Sequence, residues 1–179
     1  MFEINIVIGV IIKDTNNIRE EIIKFALLQI HKPYVHGMHG PNSFDCAGFV
    51  WYVYNEILGI NIYDNGVGCS TTTKIMTSDY GKITYFSEFV LDKNIELINP
   101  GDILLFHTQS KKEFIPKEDN RYPGHCGIYI GDGRFIHCTR LNNHNRVIKT
   151  NFEISKHLYE ILVGSKDIIS DEKVLKKTK

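Results

Sequence analysis

The sequence predicts an α+β fold, with helices toward the N-terminus and strands toward the C-terminus. Three observations carry this. Apolar residues recur at helical spacing at Ile18, Ile22, Phe25 and Ala26, and again at Phe49, Val50, Val53 and Ile57. A mostly apolar run, Asp102–His107 (DILLFH), follows the turn pair Pro100-Gly101. Residues 125–138 (HCGIYI, GDG, RFIHC) then read as a β-hairpin.

The chain has 179 residues, 42% hydrophobic and 11% aromatic, enough for one globular domain with a real core. Residues 1–165 are expected to form that domain and 166–179 a charged tail. Formal net charge is zero, so nothing in the overall electrostatics calls for nucleic acid or an anionic membrane. The function has to come from local sites, and a monomer is expected.

Taken in order, the N-terminal MFEINIVIGVII alternates Phe2, Ile4, Ile6, Ile8, Val10 and Ile12 with mostly smaller or polar partners, which is the period of a strand. It has no basic residue before Lys13, an acid at Glu3 and no small-residue cleavage site, so it does not read as a signal peptide. It is also too short to span a bilayer. Without an export signal the four cysteines are expected to be made in a reducing compartment, and a disulfide framework is not the first expectation. Asn17-Ile18-Arg19-Glu20 resembles a capping box and predicts a helix start, with Pro33 as the stop. Residues 33–44 (PYVHGMHGPNSF) are a Gly- and Pro-punctuated loop.

Asp45 is the expected N-cap of the next helix, Cys46 its first residue and Gly59 its stop. Residues 60–98 read as a loop, a short helix after Ser70 and an extended segment. Residues 108–124 are polar and suggest a long surface loop. Tyr159–Val163 reads as a last strand, and the lysine-rich end after Ser170 as a frayed tail. No repeat or low-complexity segment is visible.

If Gly131-Asp132-Gly133 is a three-residue loop, Ile130 faces Arg134 and His137 faces Gly127. His125 points to the same side as Gly127, so the two imidazoles are diagonal neighbours whose ring nitrogens can meet, with Gly127 leaving room between them. Cys126 and Cys138 are opposed on the reverse face. They read as two small buried residues packing against a helix, with a cross-strand disulfide as the alternative. Zinc is disfavoured, because alternation turns both thiols away from both imidazoles, and no cofactor is expected.

A cysteine at a helix start feels the positive end of the macrodipole, which favours its thiolate. A nearby imidazole can serve as base when a third group fixes its tautomer. Cys46 as nucleophile, His125 as base and His137 as orienter form that arrangement, with amides at the helix start for the oxyanion.

FDCAGFVWYVYNEILGI, NPGDILLFH and HCGIYIGDGRFIHC, in this order, closely resemble the NlpC-type cysteine peptidases, whose blocks read DCSG with an apolar helix, PGD before a strand, and HVGIYIG-DG-FIHA. The match covers roughly residues 18 to 163. The resemblance implies a papain-like fold, with the nucleophile helix packed against a central antiparallel sheet. It implies hydrolysis of peptidoglycan stem peptides or muropeptides, at the bond from the D-glutamate side-chain carboxyl to a diamino acid. By position Cys46, His125 and His137 are its catalytic residues. Tyr34 matches the tyrosine of the family's PY-WGG motif and would line the substrate pocket and assist at the oxyanion. Its alternative is a packing aromatic.

Three departures stand out. Ala47 replaces a serine that in some members helps hold the substrate's free amine, leaving Asp45 as the substrate-binding candidate there. HGMHG replaces the common WGG, and His36 and His39 read as solvated loop residues, with substrate contact as the alternative. The loop from Thr108 to Gly124 is longer than usual and a candidate lid. Competing activities are a muramyl-peptide amidase, an acyl or amide transferase using the same site, or a toxin-like effector with a non-wall substrate. The expected address is manufacture in the cytoplasm and action at the bacterial wall, as for a phage or mobile-element lysis enzyme (endolysin) or an enzyme trimming recycled muropeptides.

Overall fold

The computed structural model describes residues 2–63, 71–86, 95–107, 123–154 and 162–177. Its first element corrects the sequence reading. The N-terminal segment expected as a strand is the first half of a 26-residue helix, α1 (Phe2–Leu27). Extending a helix already nucleated over the following residues adds one hydrogen bond per residue fixed, whereas a strand needs a partner ladder. Asn17–Glu20 therefore lies inside α1 instead of starting it. The helix ends at Leu27, short of Pro33, and Ile22 and Ala26 are fully buried, as their spacing requires.

Helix α2 (Cys46–Leu58) follows the 33–44 loop and behaves as expected. Asp45 is its N-cap, and Gly59 ends it in the left-handed conformation at φ 61°. Phe49, Val50, Val53 and Tyr54 on its inner face are fully buried. The short helix expected after Ser70 is α3 (Thr71–Thr77), and the extended segment after it is β1 (Lys82–Tyr85). The remaining strands are β2 (Ile103–His107), β3 (Pro123–Gly131), β4 (Arg134–Thr139), β5 (Arg146–Asn151) and β6 (Leu162–Asp167). They form one sheet in the order β1-β6-β2-β3-β4-β5, every adjacent pair antiparallel.

Alternation gives this sheet two apolar faces. Ile103, Leu105, Cys126, Ile128, Ile136 and Cys138 pack with α1, α2 and α3 in one core. Leu104, Phe106, Tyr129 and Phe135 pack on the other side with Phe86, Ile98, Phe152 and Leu162. The α+β class with helices on an antiparallel sheet is thus the observed fold.

In the hairpin, Ile128 faces Ile136 and Tyr129 faces Phe135, the register expected from the turn. The turn itself is tighter than three residues. Gly131 pairs with Arg134 around Asp132 and Gly133, both at positive φ (52° and 66°), and an irregularity between Tyr129 and Gly131 takes up the extra residue. A two-residue turn plus a one-residue bulge leaves the rest of the register unchanged.

Two further corrections concern the C-terminal half. Strand β5 has no counterpart in the sequence reading, because its alternation is short and its outer residues are polar. The last strand lies later than expected, at Leu162–Asp167, since pairing with β1 and β2 carries it through Gly164, Ser165 and Lys166; residues 159–161 lie outside the described residues. The end of the chain after Ser170, expected to be frayed, is folded through Lys177. Asp171 caps a short helix, α4 (Glu172–Leu175), by accepting from the Lys173 amide at 2.8 Å, and Val174 is buried in the helix-side core.

Two buried cations tie these elements together. Lys166 Nζ donates to the carbonyls of Ile75, Met76 and Ser78 and to Ser78 Oγ, all within 2.9 Å, so β6 caps the C-terminal end of α3. Arg19 of α1 donates to Asp102 Oδ1 at 2.8 Å, Asp167 Oδ2 at 2.8 Å and the Pro100 carbonyl at 2.9 Å. Beside it the buried Tyr54 hydroxyl donates to the Gly101 carbonyl.

Burial, followed by the charge of Asp167, pushes Asp102 up to about 6 against the pull of Arg19. A carboxyl raised in the folded state contributes stability that is fully present below its ordinary value of about 3.9 and lost as pH rises through about 6. Arg19→Met leaves two facing carboxylates and is expected to cost about 3–5 kcal/mol at pH 7. The loss should be smaller at pH 5, because Asp102 without its guanidinium protonates more readily. Urea unfolding at both pH values checks this, and equal losses would show that Asp102 is not the titrating group.

Candidate active site

The 33–44 loop is tied to β5 on one side and to α2 on the other. Tyr34 N–H donates to the Asn145 carbonyl at 2.8 Å, Val35 N–H to the Phe44 carbonyl at 2.8 Å and Asp45 N–H to the Met38 carbonyl at 2.8 Å. Gly48 explains the glycine two residues after Cys46. A Cβ there would lie 2.1 Å from the Met38 carbonyl oxygen, so only glycine lets the loop rest on the first turn of α2.

Asp45 locks the same junction. One carboxylate oxygen accepts the Gly48 amide at 2.7 Å and the other the Gly37 amide at 2.9 Å. The carboxylate is buried, and both oxygens are held by backbone amides, so its observed contacts fasten the helix start to the loop.

Cys46 is half-buried and carries a free thiol. His125 and Cys126, consecutive near the start of β3, are its neighbours, with Cys126 Sγ 3.5 Å from the Cys46 carbonyl oxygen and Thr72 Oγ1 of α3 3.9 Å from the sulfur. Hydrogen bonding from Cys126, then from His125 with its charge, and from Thr72 holds the thiol well below its ordinary value despite burial. His125 Nε2 lies 2.7 Å from His137 Nδ1, with the rings edge-on at 73°. That contact leaves His125 Nδ1 as the ring nitrogen free for the sulfur. Phe106 and Phe135 back the two rings, with centroids 5.7 Å from His125 and 5.2 Å from His137. Gly127 makes the crossing possible, since a Cβ there would lie 3.1 Å from His137 Cβ and 2.9 Å from the Ile136 carbonyl oxygen.

His137 is 2% exposed, and its Nε2 has no hydrogen-bond partner. Burial first, then the neighbouring imidazoles of His125 and His144, keep it well below the usual histidine range and therefore neutral at pH 7. A neutral His137 can accept from His125 at Nδ1 only by carrying its own proton on Nε2.

Cys126 and Cys138 are fully buried free thiols on the helix side of the sheet, as the packing reading expected. Cys126 Sγ lies 3.5 Å from the Cys46 carbonyl oxygen and Cys138 Sγ 3.3 Å from that of Phe44. Tyr34 is half-buried beside the site. Burial pushes its hydroxyl up, followed by the negative charge of Cys46 and Asp45. His36 and His39 are exposed, and the His39 ring stands edge-on to Trp51 at 5.8 Å. Ala47 is fully buried in the core. Residues 108–122, most of the candidate lid, lie outside the described residues.

Two residues reach the site without a signal in the sequence. Thr72 sits in TTTKIM, which has no apolar periodicity, and enters through the packing of α3. Tyr63 stacks on Trp51 at 5.9 Å, and its hydroxyl is buried with no hydrogen-bond partner. Burial raises it, and the nearby charges of Asp45 and Cys46 add to this. Among the described residues no three His, Cys, Asp or Glu groups converge as metal ligands.

The family model for NlpC/P60 matches residues 31–162. The "probable endopeptidase YafL" of Escherichia coli (strain K12) is 27% identical over 161 residues, covering 89% of this chain and 54% of the relative. The "probable peptidoglycan endopeptidase LytE" of Bacillus subtilis (strain 168) is 29% identical over 117 residues, covering 65% of this chain and 26% of the relative. This chain thus spans about half, or less, of the length of these relatives. The solved structure of NlpC2 from Trichomonas vaginalis superposes with a TM-score of 0.59 at 24% identity, covering 84% of this chain and 47% of that one, a likeness of fold. The matched span takes in the 33–44 loop, α2, α3 and the strands that carry both imidazoles, and on that match the chain belongs to the NlpC/P60 family.

Proposed function

We propose that this protein is a cysteine endopeptidase of peptidoglycan stem peptides, with Cys46 as nucleophile, His125 as base and His137 as the group that orients it. The observation that carries this reading is the 2.7 Å contact from His125 Nε2 to His137 Nδ1, with the other side of the His125 ring turned to a half-buried thiol whose ionisation is favoured. The Cys46 thiolate attacks the scissile carbonyl and negative charge develops on its oxygen. The Gly48 amide is taken by Asp45 and the Phe49 amide by the Asp45 carbonyl, which leaves the Cys46 and Ala47 amides at the start of α2 for that charge. His125 then protonates the leaving amine and, as a base, activates the water that hydrolyses the thioester.

The peptidoglycan substrate rests on family membership and on the wall activity that the printed name of a Bacillus subtilis relative states. The bond from the D-glutamate γ-carboxyl to the diamino acid is the one the motif resemblance implies. Tyr34 lies beside Cys46 and is assigned to the substrate side of the cleft. Asp45 is assigned chiefly to holding the helix start, where an incoming amine can still share its charge. Ala47 has no hydroxyl and is fully buried, so it offers no contact to a free amine.

Mass spectrometry of digested muropeptides tests the reading. Cleavage within the stem peptide is expected, with Cys46→Ala folded but inactive. Intact stems released whole from the sugar would identify an amidase, and intact muropeptides at high enzyme concentration would overturn wall hydrolysis. His137 separates two kinds of third residue. His137→Ala is expected to lower kcat/KM by about 10²-fold or more. His137→Asn, which restores an acceptor near the Nδ1 position without the unpaired Nε2 proton, should stay within about tenfold of wild type. Equal loss in both variants would show that more than an acceptor is needed.

A further inference from the structure

We propose that Cys126 and Thr72 are positioning residues for the Cys46 thiolate, a buried thiol and a hydroxyl that close on the sulfur and hold its negative charge through hydrogen bonds. The inference rests on Cys46 being the nucleophile and adds to that reading two residues from different elements.

Three contacts link these residues. Thr72 Oγ1 lies 3.9 Å from Cys46 Sγ and 3.9 Å from Cys126 Sγ, and Cys126 Sγ lies 3.5 Å from the Cys46 carbonyl oxygen. Cys126 is fully buried and Thr72 is 2% exposed, so water competes little for either donor. A hydroxyl between two sulfurs has one proton to give and lone pairs to receive one. In the structure the Cys126 thiol donates to the Cys46 carbonyl and the Thr72 hydroxyl to Cys126; with Cys46 ionised, the Thr72 proton turns to the thiolate, and the Cys126 proton turns to Thr72 or to the thiolate. Either way the chain of donors ends on Cys46.

Cys126 can stay a donor because it does not itself ionise. Burial, then hydrogen bonding with Cys46 and its charge, drives its thiol well above the ordinary range. The groups facing Cys46 are His125 and Cys126 from β3, Cys138 from β4, Thr72 from α3, Asp45 at the helix cap, Tyr34 from the loop, and Tyr63. Of these His125 alone can carry positive charge, while Asp45 opposes the thiolate. Neutral donors on the buried side of the sulfur therefore have a task beyond filling space. Lys166 supports them at one remove, since it holds the end of α3, the helix that brings Thr72 to the sulfur.

The test is the pH dependence of Cys46 alkylation by iodoacetamide in the purified protein, read by peptide mass spectrometry so that the other cysteines are counted separately. It needs no substrate. In Cys126→Val and Thr72→Val the midpoint is expected to move up by about one pH unit, so that alkylation below the wild-type midpoint slows about tenfold. Cys126→Ser and Thr72→Ser, which restore a donor, should lie between. The acid limb of kcat/KM should move with the alkylation midpoint. A residue that only packs would change the melting temperature and leave the midpoint in place. If Cys126→Val does not fold, the Thr72 pair decides. Unmoved or lowered midpoints in folded variants would overturn the proposal alone. No alkylation of Cys46 in the wild type at any pH would overturn the nucleophile reading with it.

Discussion

The junction at Asp45 is the constraint on which the site depends. One carboxylate holds the Gly48 amide of α2 and the Gly37 amide of the preceding loop, and the Asp45 amide closes on Met38. An ordinary N-cap fixes only its own helix. Here the second oxygen also fixes the chain that carries Tyr34, so one carboxylate ties the loop to the helix start that bears Cys46. The absence of a side chain at Gly48 is the steric counterpart, because the loop carbonyl occupies the space where a Cβ would be.

From that junction, α2 buries its apolar face on the sheet, and the burial sets the height of Cys46 over β3. The strand then delivers three things from adjacent positions. His125 meets His137 next to Cys46, Cys126 lies against the Cys46 carbonyl, and Gly127 leaves the gap the imidazoles cross. The pair of rings contains no carboxylate. A neutral His137 can orient His125 and accept its proton's hydrogen bond, yet it adds no full negative charge, and its own buried Nε2 is left unpaired. With Cys46 and His125 in their proposed roles, such a site would balance the imidazolium against the thiolate more than against a third residue, which gives the donors around Cys46 more weight.

The two buried cations show how the framework around the site is kept in register. Arg19 links α1 to the turn before β2 and to the end of β6, and Lys166 links β6 to α3. Both are satisfied by several oxygens, which is the condition for burying a charge without a large net penalty. Each joins segments far apart in the chain. Their value lies in fixing where helices sit on the sheet, since apolar contacts alone tolerate sliding.

What the sequence determined by itself was local. The apolar spacing of α2, its cap and stop residues, and the turn of the hairpin fix Cys46 at a helix start and place His125 diagonally from His137, because period and register are properties of a few neighbouring residues. The alternation at 2–12 looked equally local and misled, since whether a β-branched run becomes a strand depends on a partner ladder that no short segment can supply. Tertiary structure alone decided that residues 2–27 form one helix, that β5 exists, that the end of the chain folds back as α4, that Thr72 reaches the sulfur and that Tyr63 stacks on Trp51 beside the site. It also turned Cys126 from a packing residue into a neighbour of Cys46. These outcomes come from contacts between residues distant along the chain, where burial and shape, with no periodic signal, choose the partner.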